Sequence, residues 1–219
     1  MLRNMPRSAD PAVRTALVEA AAEMLAGRLP VTARSLADRA GTSTTALYTH
    51  FGGMPGLWRA VRQEGFTRLA ARLAEVPSTD DPVHDLAALG AAYVAAAQAD
   101  PFLYRAMFDA AADLEDPAAA DATFSRLVEA TGRARAAGRF SGDADPLAVA
   151  TRIWAAGHGL VLLVLTDVLP AEALAEHGPE LTVAGCVGAG DELQRCRTSV
   201  RQGWGAAPSA GASGPSSGD

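Results

Sequence analysis

The sequence predicts an all-α protein, and three observations lead to this prediction. Apolar side chains recur three and four residues apart along most of the chain, which is the spacing of one helix face. Alanine, the best helix former, is abundant, and the runs of β-branched and aromatic residues that are typical of strands are nearly absent. Hydrophobic residues make up 49% of the 219 residues, which is enough to bury a small domain beside a larger one.

Capping residues predict four helices in the N-terminal third. Side chains suited to N-capping open the first three helices, at Asp10, Thr32 and Ser43. Glycines end the first two helices, and Pro55 opens a long fourth helix that ends before a second proline. The predicted ranges are 11–26, 33–40, 44–50 and 55–76.

The remaining chain has the pattern of a helical bundle. Proline and glycine mark most of its breaks. The predicted bundle helices are residues 82–99, 101–109, 117–138, 146–169 and 179–203. We therefore expect an N-terminal domain in residues 1–76, a bundle in residues 77–204, and a disordered tail in residues 205–219, whose low-complexity sequence cannot offset the entropy of ordering.

Charge is divided unevenly along the chain. The formal net charge of -6 argues against nucleic-acid binding only when the chain is taken as a whole. Residues 1–75 contain ten arginines and six acidic residues, whereas the rest contains nine arginines and nineteen acidic residues. Only the N-terminal third has the positive surplus expected of a surface that binds phosphates.

The second and third predicted helices have the arrangement of a helix-turn-helix. Two short helices joined by a three- or four-residue turn with a glycine are typical of this unit, whose second helix enters the major groove of DNA. On a helical projection Leu47 and Phe51 face inward. The opposite face carries hydroxyl and ring side chains suited to phosphates and base edges. These residues are Thr44, Thr45, Tyr48 and Thr49. An ordinary helical hairpin with small hydroxyl residues is the alternative.

A longer pattern gives this segment a family context. The chain follows T-x-x-x-[IL]-A-x-x-A-G-[VT]-S-x-x-x-[LV]-Y-x-H-F, and a long fourth helix comes next. The matching residues are Thr32, Leu36-Ala37, Ala40-Gly41, Ser43, Leu47-Tyr48 and His50-Phe51. Over about residues 10–75 the chain thus resembles the TetR/AcrR family of transcriptional regulators. It departs at Ala46, where many members have Thr, and at Met54, where most have a Lys that contacts phosphate.

The resemblance implies a homodimeric regulator, most simply a repressor, that binds a palindromic operator in double-stranded DNA. It also implies roles for individual residues. Thr44 and Thr45 would read bases, and Tyr48 and His50 would contact phosphates. Thr32 and Arg34 would hold the DNA backbone; for His50, a capping or packing role is the alternative. The predicted DNA-binding set is Thr32, Arg34, Ser43, Thr44, Thr45, Tyr48, Thr49 and His50.

The bundle is expected to bind a small-molecule effector that releases the DNA, as the resemblance implies. Residues 154–159 read W-x-x-x-H-G, which resembles the signature of a C-terminal domain in one branch of the family. Aromatic residues, only 5% of the chain, are concentrated near residues 101–108. With others they would line an apolar pocket with a few polar groups, or else simply fill the core. The predicted lining residues are Tyr93, Phe102, Tyr104, Met107, Phe108, Phe124, Trp154 and His158.

Two predicted bundle helices, 146–169 and 179–203, are expected to form the dimer interface. The first is apolar nearly all round, and the second carries small residues such as Ala184 and Gly188 at four-residue spacing. Two copies of this pair would form a four-helix interface. Twofold symmetry would then present two recognition helices to one operator.

The sequence favours a binding protein without catalytic residues, cofactor or metal. An all-α enzyme using His84, His158 or His177 is one alternative, but the chain has no H-E-x-x-H, no E-x-x-H pair, no glycine-rich phosphate loop and no cysteine cluster. A DNA-binding or architectural dimer without an effector is another. The longest apolar run, residues 160–165, is far short of a membrane span. We therefore expect a cytoplasmic protein that does not contact the membrane.

The two cysteines also indicate a reducing compartment. Cys186 and Cys196 are ten residues apart on what is predicted to be one helix. That spacing separates them by roughly 15 Å along the helix axis, which is too far for a disulfide.

Overall fold

The computed structural model describes residues 10–108 and 114–205, and these residues form ten α-helices. This part of the chain contains no strand, so the all-α prediction is confirmed. The helices are α1 (Pro11–Ala26), α2 (Ala33–Arg39), α3 (Thr44–Phe51), α4 (Met54–Ala74), α5 (Pro82–Ala99), α6 (Pro101–Met107), α7 (Ala118–Ala136), α8 (Pro146–Leu165), α9 (Ala173–Gly188) and α10 (Leu193–Gly205).

The chain folds into two compact units. The N-terminal unit consists of Met1–Arg68 together with Asp100–Ala119, and the C-terminal unit consists of Leu69–Ala99 together with Ala120–Asp219. Helix α6 therefore belongs to the N-terminal unit, although the sequence places it within the bundle. The predicted disordered tail lies outside the described residues, apart from Gly205 at the end of α10.

The N-terminal unit has one apolar core, built from α1 to α4 and closed by α6. Its centre is formed by fully buried leucines such as Leu17, Leu47 and Leu57, and Leu103 of α6 packs into the same cluster. Gly65 of α4 leaves room for α6, because a Cβ at this position would overlap the Met107 side chain.

A side chain of α4 also holds the end of α6. Arg62 Nε donates a hydrogen bond of 2.8 Å to the Met107 carbonyl oxygen. Carbonyls in the last turn of a helix have no partner within the helix, so this bond satisfies one of them. The sequence gives no hint of the contact, because 45 residues separate its two ends.

The C-terminal unit is a bundle in which α5, α8, α9 and α10 pack against one another. The Trp204 ring of α10 lies against two glycines, Gly90 of α5 and Gly178 of α9, where a Cβ would crowd it. These glycines let the helices approach closely. Gly178 and Pro179 both lie inside α9, so the predicted helix start at residue 179 is wrong.

Other helix bounds differ from the predictions. The segment predicted as one helix over 179–203 is two helices, because α9 ends at Gly188 and α10 begins at Leu193. Ser141 helps to fix the break, because its amide donates to the Ala189 carbonyl at 2.9 Å. Helix α8 ends at Leu165 rather than 169, and Asp167 beyond it has a left-handed φ of 61°.

The expected arrangement of the cysteines is wrong, because it assumed a single helix. Cys186 lies on α9 and Cys196 on α10, and both are buried free thiols. A hydrogen bond with Cys196, together with burial, raises the pKa of the Cys186 thiol. A buried thiol with a raised pKa is an inert part of the core rather than a nucleophile.

A buried polar network joins distant parts of the C-terminal unit. Arg139 Nε and Nη2 donate to the two carboxylate oxygens of Asp191 at 2.8 and 2.7 Å, and Arg139 Nη1 donates to Asp81 at 2.7 Å. The Ser199 hydroxyl donates to the other Asp81 oxygen at 2.5 Å. Burial disfavours the charged form of Asp81, but the bonds from Ser199 and backbone amides and the Arg139 charge outweigh it and lower its pKa.

Asp85 is the centre of a second polar group, at the start of α5. It accepts hydrogen bonds from the Thr79 hydroxyl at 2.7 Å and from Arg133 Nη2 at 2.6 Å. Burial again disfavours the carboxylate, but bonds from the Thr79 side chain and amide, from Arg133 and from His84 lower its pKa. These bonds connect the segment before α5 to α7.

Helix α8 is apolar and long enough, by length and composition alone, to cross a membrane. A core helix of a soluble protein passes the same test, so this observation is weak evidence for a span. Here α8 packs alongside α9 and contacts α5.

Candidate nucleic-acid interface and effector site

Helix α3 is positioned by local signals. Gly41 has a left-handed φ of 63° in the turn before it, a conformation that glycine adopts without strain. The Ser43 hydroxyl oxygen then accepts a hydrogen bond of 3.2 Å from the Ala46 amide and caps the first turn. Gly52 ends the helix with a φ of 69°. The helix thus starts where the sequence predicts and ends one residue later.

One face of α3 is buried and the other is exposed. Leu47 and Phe51 pack into the core of the N-terminal unit. Tyr48 is 61% exposed, and its ring lies beside Gly53. The predicted DNA-facing threonines are exposed as well; they are Thr44, Thr45 and Thr49. The structure therefore brings these four side chains to one accessible surface of a rigidly packed helix.

His50 has a mixed environment at the end of α3. Its side chain is half-buried, and its ring centroid is 6.1 Å from that of Phe51. Both the phosphate contact and the packing role stay predictions for this residue.

Helix α2 begins with a capping box. The Thr32 hydroxyl oxygen accepts from the Ser35 amide at 3.1 Å, while the Ser35 hydroxyl oxygen accepts from the Thr32 amide at 3.0 Å. Thr32 is therefore a structural residue whatever else it contacts, and Ser43 has the same role at α3. Ser35 was missed because the family pattern leaves its position open. Arg34 is exposed in the first turn of α2.

Two other arginines of this unit lie beside carboxylates. Arg39 Nη2 is 2.8 Å from Glu23, and Arg14 Nη2 is 2.5 Å from Glu115. Exposed pairs of this kind are weak and are screened by salt. They lower the positive charge that the N-terminal unit presents below what its arginine content suggests.

Met54, the position that departs from the family pattern, is the first residue of α4. It is half-buried and packs against the N-terminal core, as Trp58 does one turn later. An apolar side chain thus stands where the family resemblance leads us to expect a lysine.

The predicted effector-lining residues separate into two groups of four. The first group lies on and just after α6, in the N-terminal unit: Phe102, Tyr104, Met107 and Phe108. Tyr104 and Met107 are buried, and Phe108 packs edge-on against Phe66 with centroids 5.6 Å apart. Phe102 is half-buried, and the guanidinium groups of Arg28 and Arg105 lie within 5.6 Å of its ring centroid.

The second group lies in the C-terminal unit and forms a connected cluster. Tyr93 and His158 share a hydrogen bond of 2.9 Å between the phenolic oxygen and Nδ1. The Trp154 ring stacks on His158 with centroids 5.4 Å apart, and Phe124 meets Trp154 edge-on at 5.9 Å. Burial lowers the pKa of His158, so its neutral form dominates at pH 7.

Comparisons with known families decide the class of protein. Residues 17–61 match the family model of bacterial regulatory proteins of the tetR family. Residues 86–183 match the model of the tetracyclin repressor-like C-terminal domain. The chain belongs to the TetR family. It is therefore a DNA-binding transcriptional regulator with an N-terminal helix-turn-helix, as α2 and α3 indicate.

Several solved structures have a similar fold. A protein of unknown function from Rhodococcus sp. RHA1 is 25% identical, with a TM-score of 0.68 and coverage of 85% of this chain and 99% of that chain. RolR, solved with resorcinol, is 17% identical, with a TM-score of 0.62 and coverage of 87% and 93%.

A third structure with a similar fold is SmeT, the repressor of the Stenotrophomonas maltophilia multidrug efflux pump SmeDEF. It is 22% identical, with a TM-score of 0.60 and coverage of 80% of this chain and 89% of that chain. RolR and SmeT show the shared fold alone. No curated protein matches the sequence significantly.

Proposed function

We propose that this TetR-family protein is a homodimeric repressor that binds a palindromic operator through α3 and releases it when a small molecule binds. The observation that supports this most strongly is the surface of α3. Exposed hydroxyl and phenol groups lie on a helix whose other face is locked into the core. Such a surface suits phosphates and base edges, and a rigid support keeps it in register with DNA.

The test is Tyr48→Ala, assayed by operator binding. Tyr48 is exposed, so its removal is expected to leave helicity and dimerisation unchanged while operator binding is lost. Leu29→Ala is the matched control, because Leu29 is also a large exposed side chain of the N-terminal unit but lies outside the helix-turn-helix. Retained operator binding by Tyr48→Ala at ordinary salt would refute the assignment of α3 as the recognition helix.

The dimer is proposed to form through α8 and α9. These helices lie side by side, and each has an outward ridge of residues four apart. The α8 ridge consists of Leu147, Thr151, Ala155, Gly159 and Leu163, and the α9 ridge of Glu176, Glu180, Ala184 and Gly188. Small residues in the middle of the α8 ridge and at the C-terminal end of the α9 ridge permit close approach of a second copy, with ridges packing into grooves. Leu147 and Leu163 are 54% and 43% exposed, and their burial against a second copy would stabilise the dimer.

Gly188→Leu tests this interface cleanly. A Cβ at Gly188 meets no atom of its own protomer within 4 Å, so the larger side chain should disturb only a partner. Gly132→Leu on α7 is the control, because that position also has open space around its Cβ. Sedimentation velocity should show a smaller species for Gly188→Leu alone, and an unchanged dimer would count against the α8–α9 interface.

The effector is proposed to bind the C-terminal part of the chain. The connected cluster of Tyr93, Phe124, Trp154 and His158 supports this, because apolar rings with a few polar atoms are typical of small-molecule sites. A ligand that prefers the protein free of DNA must stabilise it thermally and weaken operator binding. A screen of apolar compounds by thermal shift tests this, with Trp154→Ala expected to weaken the response while operator binding persists.

Three further assignments belong to this proposal. The DNA-binding domain is taken as residues 1–76 and the effector and dimerisation domain as residues 77–204. Residues 154–159 are taken as the W-x-x-x-H-G signature of one branch of the family. The protein is taken to act in the cytoplasm, without enzymatic activity, metal or membrane contact.

A further inference from the structure

A small cleft lies between α7 and the joining segment, which is the stretch of residues 75–81 between α4 and α5. Its walls include residues 76–78 of this segment, Leu89 of α5, and Arg126 and Arg133 of α7. The cleft opens in part to solvent, and its enclosed part has room for about one water molecule. Only a compact chemical group can therefore enter it. All of its lining residues belong to the C-terminal unit.

Two arginines of α7 hold the joining segment on either side of this cleft wall. Arg126 Nη2 donates a hydrogen bond of 2.7 Å to the Val76 carbonyl oxygen. Arg133 Nη2 donates a hydrogen bond of 2.8 Å to the Thr79 carbonyl oxygen. Ser78, another lining residue, lies between these two points of the chain. The wall of the cleft is thus fixed by bonds to the helix opposite.

The Arg126 guanidinium keeps donor groups that the described residues do not use. Its Nε is buried and has no hydrogen-bond partner among those residues. Its Nη1 is 3.8 Å from Glu129 Oε2, which is beyond hydrogen-bond distance. Leaving a buried charged donor without an acceptor is unfavourable, so an acceptor atom in the cleft would stabilise this side chain.

The charges around the cleft leave Arg126 as the least compensated group. Arg133 also lines the cleft, but Arg133 Nη2 is 2.6 Å from Asp85, whose side chain is almost fully buried. The Glu129 side chain is 70% exposed, so water screens its attraction to Arg126. A negatively charged ligand would therefore meet a cation without displacing a close ion pair. Three further acidic residues of the joining segment do not line the cleft: Glu75, Asp80 and Asp81.

We propose that the cleft binds a compact anion, the carboxylate group of a small aliphatic acid, between Arg126 and residues 76–78. Hydrogen bonds that join a charged donor to a charged acceptor are stronger than those between neutral groups, so an anion is favoured over a neutral acceptor of the same size. The small enclosed space favours a short aliphatic acid over an aromatic one. The cleft shares no residue with the aromatic cluster proposed for the effector, so this inference does not rest on the proposed effector function.

The experiment measures the melting temperature of the full chain without DNA against the concentration of sodium acetate. Ionic strength is held constant with sodium HEPES, whose anion is bulky. Acetamide is the comparison, because it has the shape of acetate without the charge. We expect acetate to raise the melting temperature along a saturable curve, because a ligand that binds only the folded state stabilises it. Acetamide should require about 10-fold higher concentrations, because a hydrogen bond to a neutral acceptor is weaker by about this factor.

Two variants of α7 assign the contact. Arg126→Gln removes the cation and should weaken acetate binding at least about 10-fold. Glu129→Gln removes the exposed carboxylate beside Arg126 and should strengthen acetate binding about 2- to 5-fold, because an exposed ion pair contributes about this factor. Arg135→Gln is the matched control and should leave the acetate response unchanged. Arg135 is an exposed α7 arginine that also bonds a carbonyl, that of Ala144, but it lies outside the cleft lining.

Several results would overturn the inference. These are equal responses to acetate and acetamide, equal losses of acetate binding in Arg126→Gln and Arg135→Gln, or no saturable acetate response in the unaltered protein. The last result would mean that the cleft holds water only. If Arg126→Gln is too unstable to measure, the exposed Glu129 position decides the question. Tighter acetate binding by Glu129→Gln supports the inference, and unchanged or weaker binding refutes it.

Discussion

The N-terminal and C-terminal units keep their polar side chains in different places. In the N-terminal unit the hydroxyl and phenol groups of α3 lie on the surface, and the interior cluster consists of apolar residues. In the C-terminal unit Arg139, Asp191 and Asp85 are buried and bonded to one another or to neighbouring loops. Removing an exposed polar group of α3 should therefore change mainly DNA binding, whereas removing a buried charged group of the second unit should change mainly stability.

Arg139→Met is expected to give the largest effect. It leaves Asp191 buried without its cation, which should lower the free energy of unfolding by about 3–5 kcal/mol. Urea denaturation followed by circular dichroism measures this. Arg135→Met, at an exposed arginine near the end of α7 and four residues before Arg139, should change stability by less than about 0.5 kcal/mol.

The double variant Arg139→Met/Asp191→Leu separates the charge from the packing. Replacing both partners removes the fully buried unpaired charge, and Asp81, the other partner of Arg139, is partly exposed and keeps its bond from Ser199, so most of the lost stability should return. If the double variant is as unstable as Arg139→Met, the unpaired charge of Asp191 is not the source of the lost stability.

The next effect is the loss of stability in acid. Hydrogen bonds and nearby arginines lower the pKa of Asp81 and Asp85 in the folded state. Their contribution is complete above the unfolded pKa of about 3.9 and is lost as the pH falls through the lower folded values. The melting temperature should therefore fall below about pH 4. Asp85→Asn should flatten this fall, and an unchanged profile in that variant would exclude Asp85 as its source.

The same contrast explains what the sequence could predict. Helices α1, α2 and α3 begin at the predicted capping residues, because a cap and the amide that it binds are two or three residues apart. The exposed face of α3 could be predicted as well, because the residues that share one helix face are only three or four positions apart. The family pattern supplied the expected roles of individual residues, such as Tyr48, which periodicity alone does not give.

The break between α9 and α10 could not be predicted in this way. Asp191 lies in that break and is held by Arg139, 52 residues earlier, and Ser199 of α10 is bonded to Asp81, 118 residues earlier. No local pattern records such pairs. The predicted effector-lining residues lie partly in each unit for a similar reason. Aromatic residues mark apolar surroundings, but they do not show which of the two units will contain them.

A smaller effect is expected at a helix cap. Ser43→Ala removes the bond to the Ala46 amide and should cost about 1 kcal/mol of stability. Operator affinity should fall as well, because the first turn of α3 carries Thr44 and Thr45. Chemical denaturation and an operator titration check both results. Thr67→Ala, at an exposed threonine of α4, should change neither, and equal losses in the two variants would mean that the cap is not responsible.

The smallest effect on the fold, and the most informative about the DNA surface, is expected from Met54→Lys. Met54 is half-buried at the start of α4, so a lysine there can keep its methylene chain against the core and extend its ammonium group outward.

If this ammonium group reaches a phosphate, two new contacts form per proposed dimer. Each contact contributes about −0.9 to the slope of log affinity against log salt, so the slope should steepen by about 2. Affinity should rise for specific and non-specific DNA alike, because phosphate contacts position the protein but do not read the base sequence of the DNA. Thr67→Lys adds the same charge to the same helix about three and a half turns further on, and it separates a phosphate contact from a general rise in charge. Equal slopes for these two variants would show that residue 54 lies away from the DNA in this regulator, and that its α3 surface binds without help from the start of α4.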